Sequence, residues 1–117
     1  MLKYLSRYIR WLSDLPIFNY IMSDYTTIHK PDNHKIVIED EGREVGRLTY
    51  NVEKGIMQIT GTYVDPTFRG KSLANKMVKK AIEVAKEEKW FIRPICPYVV
   101  SFFKRNKEYN HMLVPEK

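Results

Sequence analysis

One stretch of the chain combines residue types that suit phosphate binding: Tyr63-Val64-Asp65-Pro66-Thr67-Phe68-Arg69-Gly70-Lys71-Ser72-Leu73-Ala74. A strand pattern runs into a basic, glycine-containing loop, and the loop runs into a helical pattern. The first turn of a helix carries unpaired N–H groups and partial positive charge, and so attracts anions. Gly70 allows close backbone approach. Arg69 and Lys71 add charge, and Ser72 adds a hydroxyl donor. The same residues also fit a plain strand–helix turn with a charged surface. A nucleoside-triphosphate loop is excluded, because Gly70-Lys71-Ser72 lacks the earlier glycine of that motif.

The second candidate is Cys96, the one cysteine in the chain. A single thiol cannot form an internal disulfide, which argues against a stapled secreted fold. Three readings stay open for it: a small buried hydrophobe, a nucleophile acting as thiolate, or a group that positions a reacting group or donates a proton to it. Pro97 suits a first helical position, and a helix starting there directs its positive end toward Cys96 and favours a thiolate. Tyr98 could donate a proton to a leaving group or serve in packing. Glu39, Glu44 and Glu53 are candidate bases that also fit solvated strand positions. His29, His34 and His111 are scattered without ligand spacing, so no metal is expected. Lys79-Lys80 and Lys86-Glu87-Glu88-Lys89 read as a solvated helix face.

The elements that must position these residues are legible in the periodicity. From Tyr25 onward the pattern has period two. Lys35–Glu39, Glu44–Val52 and Ile56–Val64 read as strands separated by the glycine turns at Gly42 and Gly55, an antiparallel meander. In the third, Ile56, Gln58, Thr60 and Thr62 alternate against Met57, Ile59, Gly61 and Tyr63. Gly61 inside that strand predicts a bulge or a close backbone approach. Leu73, Met77, Val78, Ala81, Ile82 and Ala85 form one face of a helix ending near Lys89. Trp90–Ile95 reads as a strand parallel to the third through a right-handed crossover. A second helix covers Tyr98–Lys104, and the tail from Asn106 to Lys117 is expected to be irregular.

Residues 1–25 differ. Leu2, Leu5, Ile9 and Leu12 repeat at helical spacing, widened by Tyr4, Tyr8 and Trp11, with Lys3, Arg7 and Arg10 largely opposite. This predicts a basic amphipathic helix ending near Asp14–Pro16. Such a helix could lie on a membrane, dock on the body of the protein, or meet a second copy, so monomer and homodimer both stay open. A start at Met22 would leave 96 residues, which makes residues 1–21 an upstream extension.

With 117 residues, 44% of them apolar, the chain suffices for one domain with one modest core. The division read here is an extension at 1–25 and a domain at 26–117. No apolar run is long enough for a membrane-spanning helix, and the start lacks a signal-peptide core, so a cytoplasmic location is expected. The net charge of +6 suits an anionic partner. Aromatic residues are not interleaved with the lysines, which argues against nucleic acid.

Two blocks carry a resemblance. Val64-Asp65-Pro66-Thr67-Phe68-Arg69-Gly70-Lys71-Ser72-Leu73-Ala74 resembles the acetyl-CoA-binding motif of the GNAT N-acetyltransferase superfamily, Arg/Gln-x-x-Gly-x-Gly/Ala. Arg93-Pro94-Ile95-Cys96-Pro97-Tyr98-Val99-Val100-Ser101-Phe102-Phe103 resembles the Cys-Pro-Phe/Tyr block of a small YjdJ-type branch, and Glu108-Tyr109 matches the end of that pattern. The likeness runs from about Lys35 to Val114. This chain has Ser72 where the motif has glycine, Gly61 where relatives often have histidine, and Asn106-Lys107 where they have His-Pro.

The resemblance implies an α+β, abbreviated GNAT fold: a mostly antiparallel sheet, a splayed parallel strand pair and a long central helix. It implies acetyl-CoA as cofactor, with the pyrophosphate on the amides of Arg69, Gly70, Lys71, Ser72, Leu73 and Ala74. The pantetheine arm would lie along Tyr63 and Val64 where the strands part, and Cys96 near the thioester, with Tyr98 beside it. The implied activity is acetyl transfer from acetyl-CoA to a primary amine. Two other readings stay open: a CoA-binding module without catalysis, and a basic adaptor for membrane or nucleic acid.

Overall fold

The computed structural model describes residues 25–115. The expected amphipathic helix lies outside the described residues, and of the 1–25 extension Tyr25 alone is described, opening the first strand. Five strands form one sheet in the order β1-β2-β3-β4-β5. They are β1 (Tyr25–Lys30), β2 (Lys35–Asp40), β3 (Arg43–Glu53), β4 (Ile56–Val64) and β5 (Phe91–Pro94). Helix α1 (Leu73–Glu88) joins β4 to β5, and helix α2 (Pro97–Arg105) follows. The first four strands pair antiparallel and β4–β5 pair parallel. This is the α+β architecture expected, with one more strand, β1, than the meander drawn above.

Local chemistry accounts for the turns. Glu41-Gly42 and Lys54-Gly55 both have two successive positive φ values, at 52° and 83° and at 52° and 75°. Two-residue hairpins with that backbone match the twist of the strands they join. Helix α1 ends with Lys89 in the left-handed region, and the Trp90 N–H reaches back to the Ala85 carbonyl at 2.8 Å.

The core forms between one sheet face and the helices. Ile36, Ile38, Leu48, Tyr50, Met57, Ile59 and Ile92 from the strands meet Leu73, Met77, Val78, Ala81, Ile82 and Ala85 of α1. Val99, Phe102 and Phe103 of α2 join the same cluster. Gly46 lets β3 approach α1: a Cβ there would sit 2.9 Å from the Tyr63 carbonyl oxygen and 3.3 Å from Met77.

The tail departs from expectation. Lys107–Met112 forms a 3-10 turn, Met112 is buried, and Tyr109 stacks on Phe102 at 5.7 Å. Beyond it Leu113 bridges Ile92, and the Val114 N–H donates to the Ile92 carbonyl at 2.9 Å. The free edge of β5 is thereby partly capped, as an otherwise bare sheet edge requires. Few apolar residues mark this tail, so a pattern-based reading had little to detect.

At the other end of the sheet, His29 contacts the Tyr50 hydroxyl at 2.6 Å, and His34 stacks on the Tyr50 ring. Burial and then the Lys80 ammonium hold His29 below its ordinary 6.5, against the opposing pull of Glu88 and Glu87. The unfolded chain therefore takes up the proton first as pH falls. This stability contribution is full above the unfolded value and is lost as pH drops through the depressed native one. Urea unfolding compared at about pH 7 and about pH 5 should show a larger loss for wild type than for His29→Gln. Equal losses in both proteins would remove His29 from the account.

Candidate active site

Strand β4 carries the site because it loses its neighbour on one side. Pairing with β5 runs from Ile56↔Phe91 to Ile59↔Pro94 and stops. There the Ile59 carbonyl accepts both the Ile95 and the Cys96 N–H, each at 3.0 Å. Pro97 then starts α2, whereas β4 continues to Val64, still paired with β3 as far as Gly46↔Val64. The Thr60–Val64 stretch therefore has a β3-bonded edge and an edge without β5. A slot flanked by backbone amides results, with Cys96 at its inner end and the start of α1 beyond its outer end.

The bulge predicted from Gly61 is present. Thr49 pairs with Gly61 and Tyr50 with Ile59, so Thr60 is an extra residue in β4. The expected alternation fails from this point. Thr62 pairs with the core residue Leu48 and lies on the helix side, while Tyr63 pairs with Arg47 and is 42% exposed. The Arg47 guanidinium lies over the Tyr63 ring at 4.8 Å. Any contribution of Tyr63 to the slot is thus through its backbone.

At the outer end, the Asp65 carboxylate accepts the Thr67 N–H at 2.9 Å and the Thr67 hydroxyl at 2.7 Å. These two bonds, with lesser help from Arg43 and Arg69, hold Asp65 below its ordinary range despite slight desolvation. Arg69 Nε donates to the Val64 carbonyl at 3.1 Å, folding the loop over the strand end. Gly70 has φ +82° and Ser72 φ 61°. The left-handed backbone at Ser72 explains why glycine suits this motif position. The Ser72 side chain makes no cap, so it leaves the first N–H groups of α1 to other acceptors. Lys71 is exposed, Leu73 is buried, and Ala74 is half-buried. The backbone conformation and charge of this loop fit a pyrophosphate.

At the inner end, Cys96 is 7% exposed, and its Sγ lies 3.5 Å from the Thr62 hydroxyl. Burial pushes the thiol up. The Thr62 hydroxyl and the N–H groups of Val99, Tyr98 and Thr62 pull it down by more, and the balance is a lowered value. Tyr98 donates its hydroxyl to Asn75 Oδ1 at 2.9 Å, tying α2 to the first turn of α1. Its ring lies under the Arg105 guanidinium at 5.8 Å.

The structure thus brings Cys96 and Tyr98 beside the open half of β4, with Cys96 against Ile59 and Thr62 and Tyr98 against Asn75 of α1, and the Arg69–Ala74 loop follows at the Val64 end of the same strand. The candidate bases do not converge there. Glu44 is an exposed partner of Arg47 at 3.6 Å, Glu39 lies on β2, and Glu53 is at the far end of the sheet. Among the described residues no group of three metal-ligating side chains occurs. Sequence reasoning missed Thr62 and Asn75. The bulge hid the first, and Asn75 reads as an ordinary helical polar residue.

A sheet that parts beside a helix N-terminus defines a class, and comparison with known proteins agrees. The profile of the GCN5-related N-acetyl-transferase family matches residues 34–112, and the chain belongs to that family. In fold it is similar to a GCN5-like N-acetyltransferase-type protein from Staphylococcus aureus solved by NMR (TM-score 0.63, 21% identity, 82% of this chain and 94% of that one). It is also similar to an acyl-CoA N-acyltransferase-type protein from Klebsiella pneumoniae (TM-score 0.55, 18% identity, 84% and 72%). A third likeness is to N-acetylglutamate synthase from Neisseria gonorrhoeae, complexed with coenzyme A and N-acetyl-glutamate (TM-score 0.55, 13% identity). This chain covers 89% of itself there but 25% of the synthase. No curated protein matches by sequence.

The loop conformation can be tested on stability alone. A Cβ at Gly70 meets nothing within 4 Å, so backbone strain is the one penalty of adding it. Gly70→Ala should cost about 1 kcal/mol in chemical denaturation. An unchanged midpoint would show that the loop does not hold its left-handed turn.

Proposed function

We propose that this chain binds acetyl-CoA in the slot beside β4 and transfers the acetyl group to a primary amine. The observation that carries the reading is the parting of β4 from β5 after Ile59, with an amide-rich, basic loop at one end and the lone thiol at the other. The N–H groups of Arg69, Gly70, Lys71, Ser72, Leu73 and Ala74 receive the pyrophosphate, helped by the Arg69 and Lys71 charges. The backbone of Tyr63 and Val64 lines the pantetheine arm, and N–H groups between Gly61 and Val64 polarise the thioester carbonyl. Membership of the family and the chemistry of the loop support this reading.

Cys96 is the nucleophile in this scheme. Its thiolate attacks the acetyl carbon, a new C–S bond forms, and the bond to the CoA sulfur breaks. The Tyr98 hydroxyl, held by Asn75, protonates the departing CoA thiolate. The acceptor amine then attacks acetyl-Cys96, the thiolate returns, and the proton shed by the nitrogen restores Tyr98. With no carboxylate converging on the slot among the described residues, an acceptor arriving as the free amine fits best. The same observation favours a second reading, a CoA-binding module without turnover.

Calorimetric titration with acetyl-CoA tests the site. Arg69→Glu should weaken binding by at least about tenfold, about 1.4 kcal/mol. Lys71→Glu, which leaves the Val64 carbonyl bond intact, should weaken it in the same direction. No binding by wild type would overturn the function. Intact-mass analysis after incubation with acetyl-CoA should show one acetyl group on wild type and none on Cys96→Ser. Binding without that adduct, and without transfer to any amine tried, would support the non-catalytic module.

A further inference from the structure

The bulge in β4 raises a question that acetyl-CoA binding alone does not answer. A regular strand of this sequence would continue the parity of Ile56, Gln58 and Thr60, placing Thr62 on the face away from the helices. The extra residue at Thr60 reverses that parity. Bulges commonly re-aim a side chain next to a functional site. Here the re-aimed side chain is a threonine whose hydroxyl meets the Cys96 sulfur at 3.5 Å, across 34 residues of sequence.

We propose that Thr62 is a positioning residue for Cys96: its hydroxyl donates to the sulfur, fixes the side chain in the slot and stabilises the thiolate. The inference rests on the reading of Cys96 as the acetyl-bearing group. Cys96 is buried, 7% exposed as a residue, and a thiolate there needs donors from the protein. The elements around it supply few. The Thr62 hydroxyl is its hydrogen-bond partner at 3.5 Å; the Val99 and Tyr98 amides of α2 and the Thr62 amide lower the thiol from nearby, while Cys96 makes no side-chain cap on α2. Among the described residues no charged side chain shifts its titration, although α2 also carries Lys104 and Arg105 and β5 carries Arg93, and Thr62 is the one side chain that lowers it. The β-branched residue also suits a strand.

The test exploits the single cysteine. Selective 13C labelling of cysteine gives one Cβ resonance, whose chemical shift reports thiol ionisation without a reagent needing access. Thr62→Val keeps the shape and removes the hydroxyl. The titration midpoint should rise by about one pH unit, and Thr62→Ser should restore it toward wild type. A purely structural role would disturb packing in both variants alike and would not follow the hydroxyl. Should Thr62→Val fail to fold, Thr62→Ala is read in the same way. An unchanged midpoint in the variant lacking the hydroxyl overturns the proposal. Acetyl-CoA affinity of the wild-type sample reports separately on the function, so failure of that reading and failure of the Thr62 assignment are told apart.

Discussion

One carbonyl oxygen, that of Ile59, sets the layout of the site. It accepts two successive N–H groups, from Ile95 and Cys96, and a parallel ladder cannot continue through such an arrangement. The chain after Cys96 turns into α2, and β4 goes on alone on that side. Buried or half-buried backbone amides must find partners, so the bare edge of β4 is a standing demand for an extended polar ligand. On the function proposed above, the amide and carbonyl groups of a pantetheine arm would meet that demand as a further strand would.

The rest of the fold holds this edge in place. Met57 and Ile59 anchor β4 against Val78, Ala81 and Ile82 of α1 within one apolar cluster. Gly46 permits the backbones of β3 and β4 and the side chain of Met77 to crowd together where the slot begins. Tyr98 and Asn75 tie the starts of both helices to one another. The positive ends of two helices thus face one region, α1 toward the Arg69–Ser72 loop and α2 toward Cys96. Arg43 over Phe68 and Lys76 over Tyr25 add cations at the same end of the sheet.

Much of this was legible beforehand, for physical reasons. The apolar face of α1 was read residue by residue, with Val84 alone added, because a helix against a sheet imposes its period strictly. The glycine turns gave the hairpins and Gly61 gave the bulge. β1 was harder: all of its residues but Thr26 are half-buried, so neither face imprints a clean alternation. The contact of Cys96 with the Thr62 hydroxyl is not legible in the sequence, since Gly61 signals a bulge but neither which residue is extra nor which side chain is re-aimed, and the two partners lie 34 residues apart. The Asn106-Lys107 departure from the resembling family has a local explanation. The Asn106 side chain donates to the Phe102 carbonyl at 2.9 Å and closes the end of α2.

The register shift in β4 does two jobs that chain length could separate. An added residue bends a strand and increases its twist, and this one falls where β4 leaves β5. If Thr60 were deleted, Gly61 would follow Ile59 directly in a regular ladder, and Thr62 would still lie opposite Leu48. The side chain would keep its aim while the bend was lost. A straightened β4 could then run on beside the segment after β5 and satisfy its own amides there. In this region the number of residues sets the bend of β4, while the turn of the chain into α2 at Pro97 sets where the ladder stops.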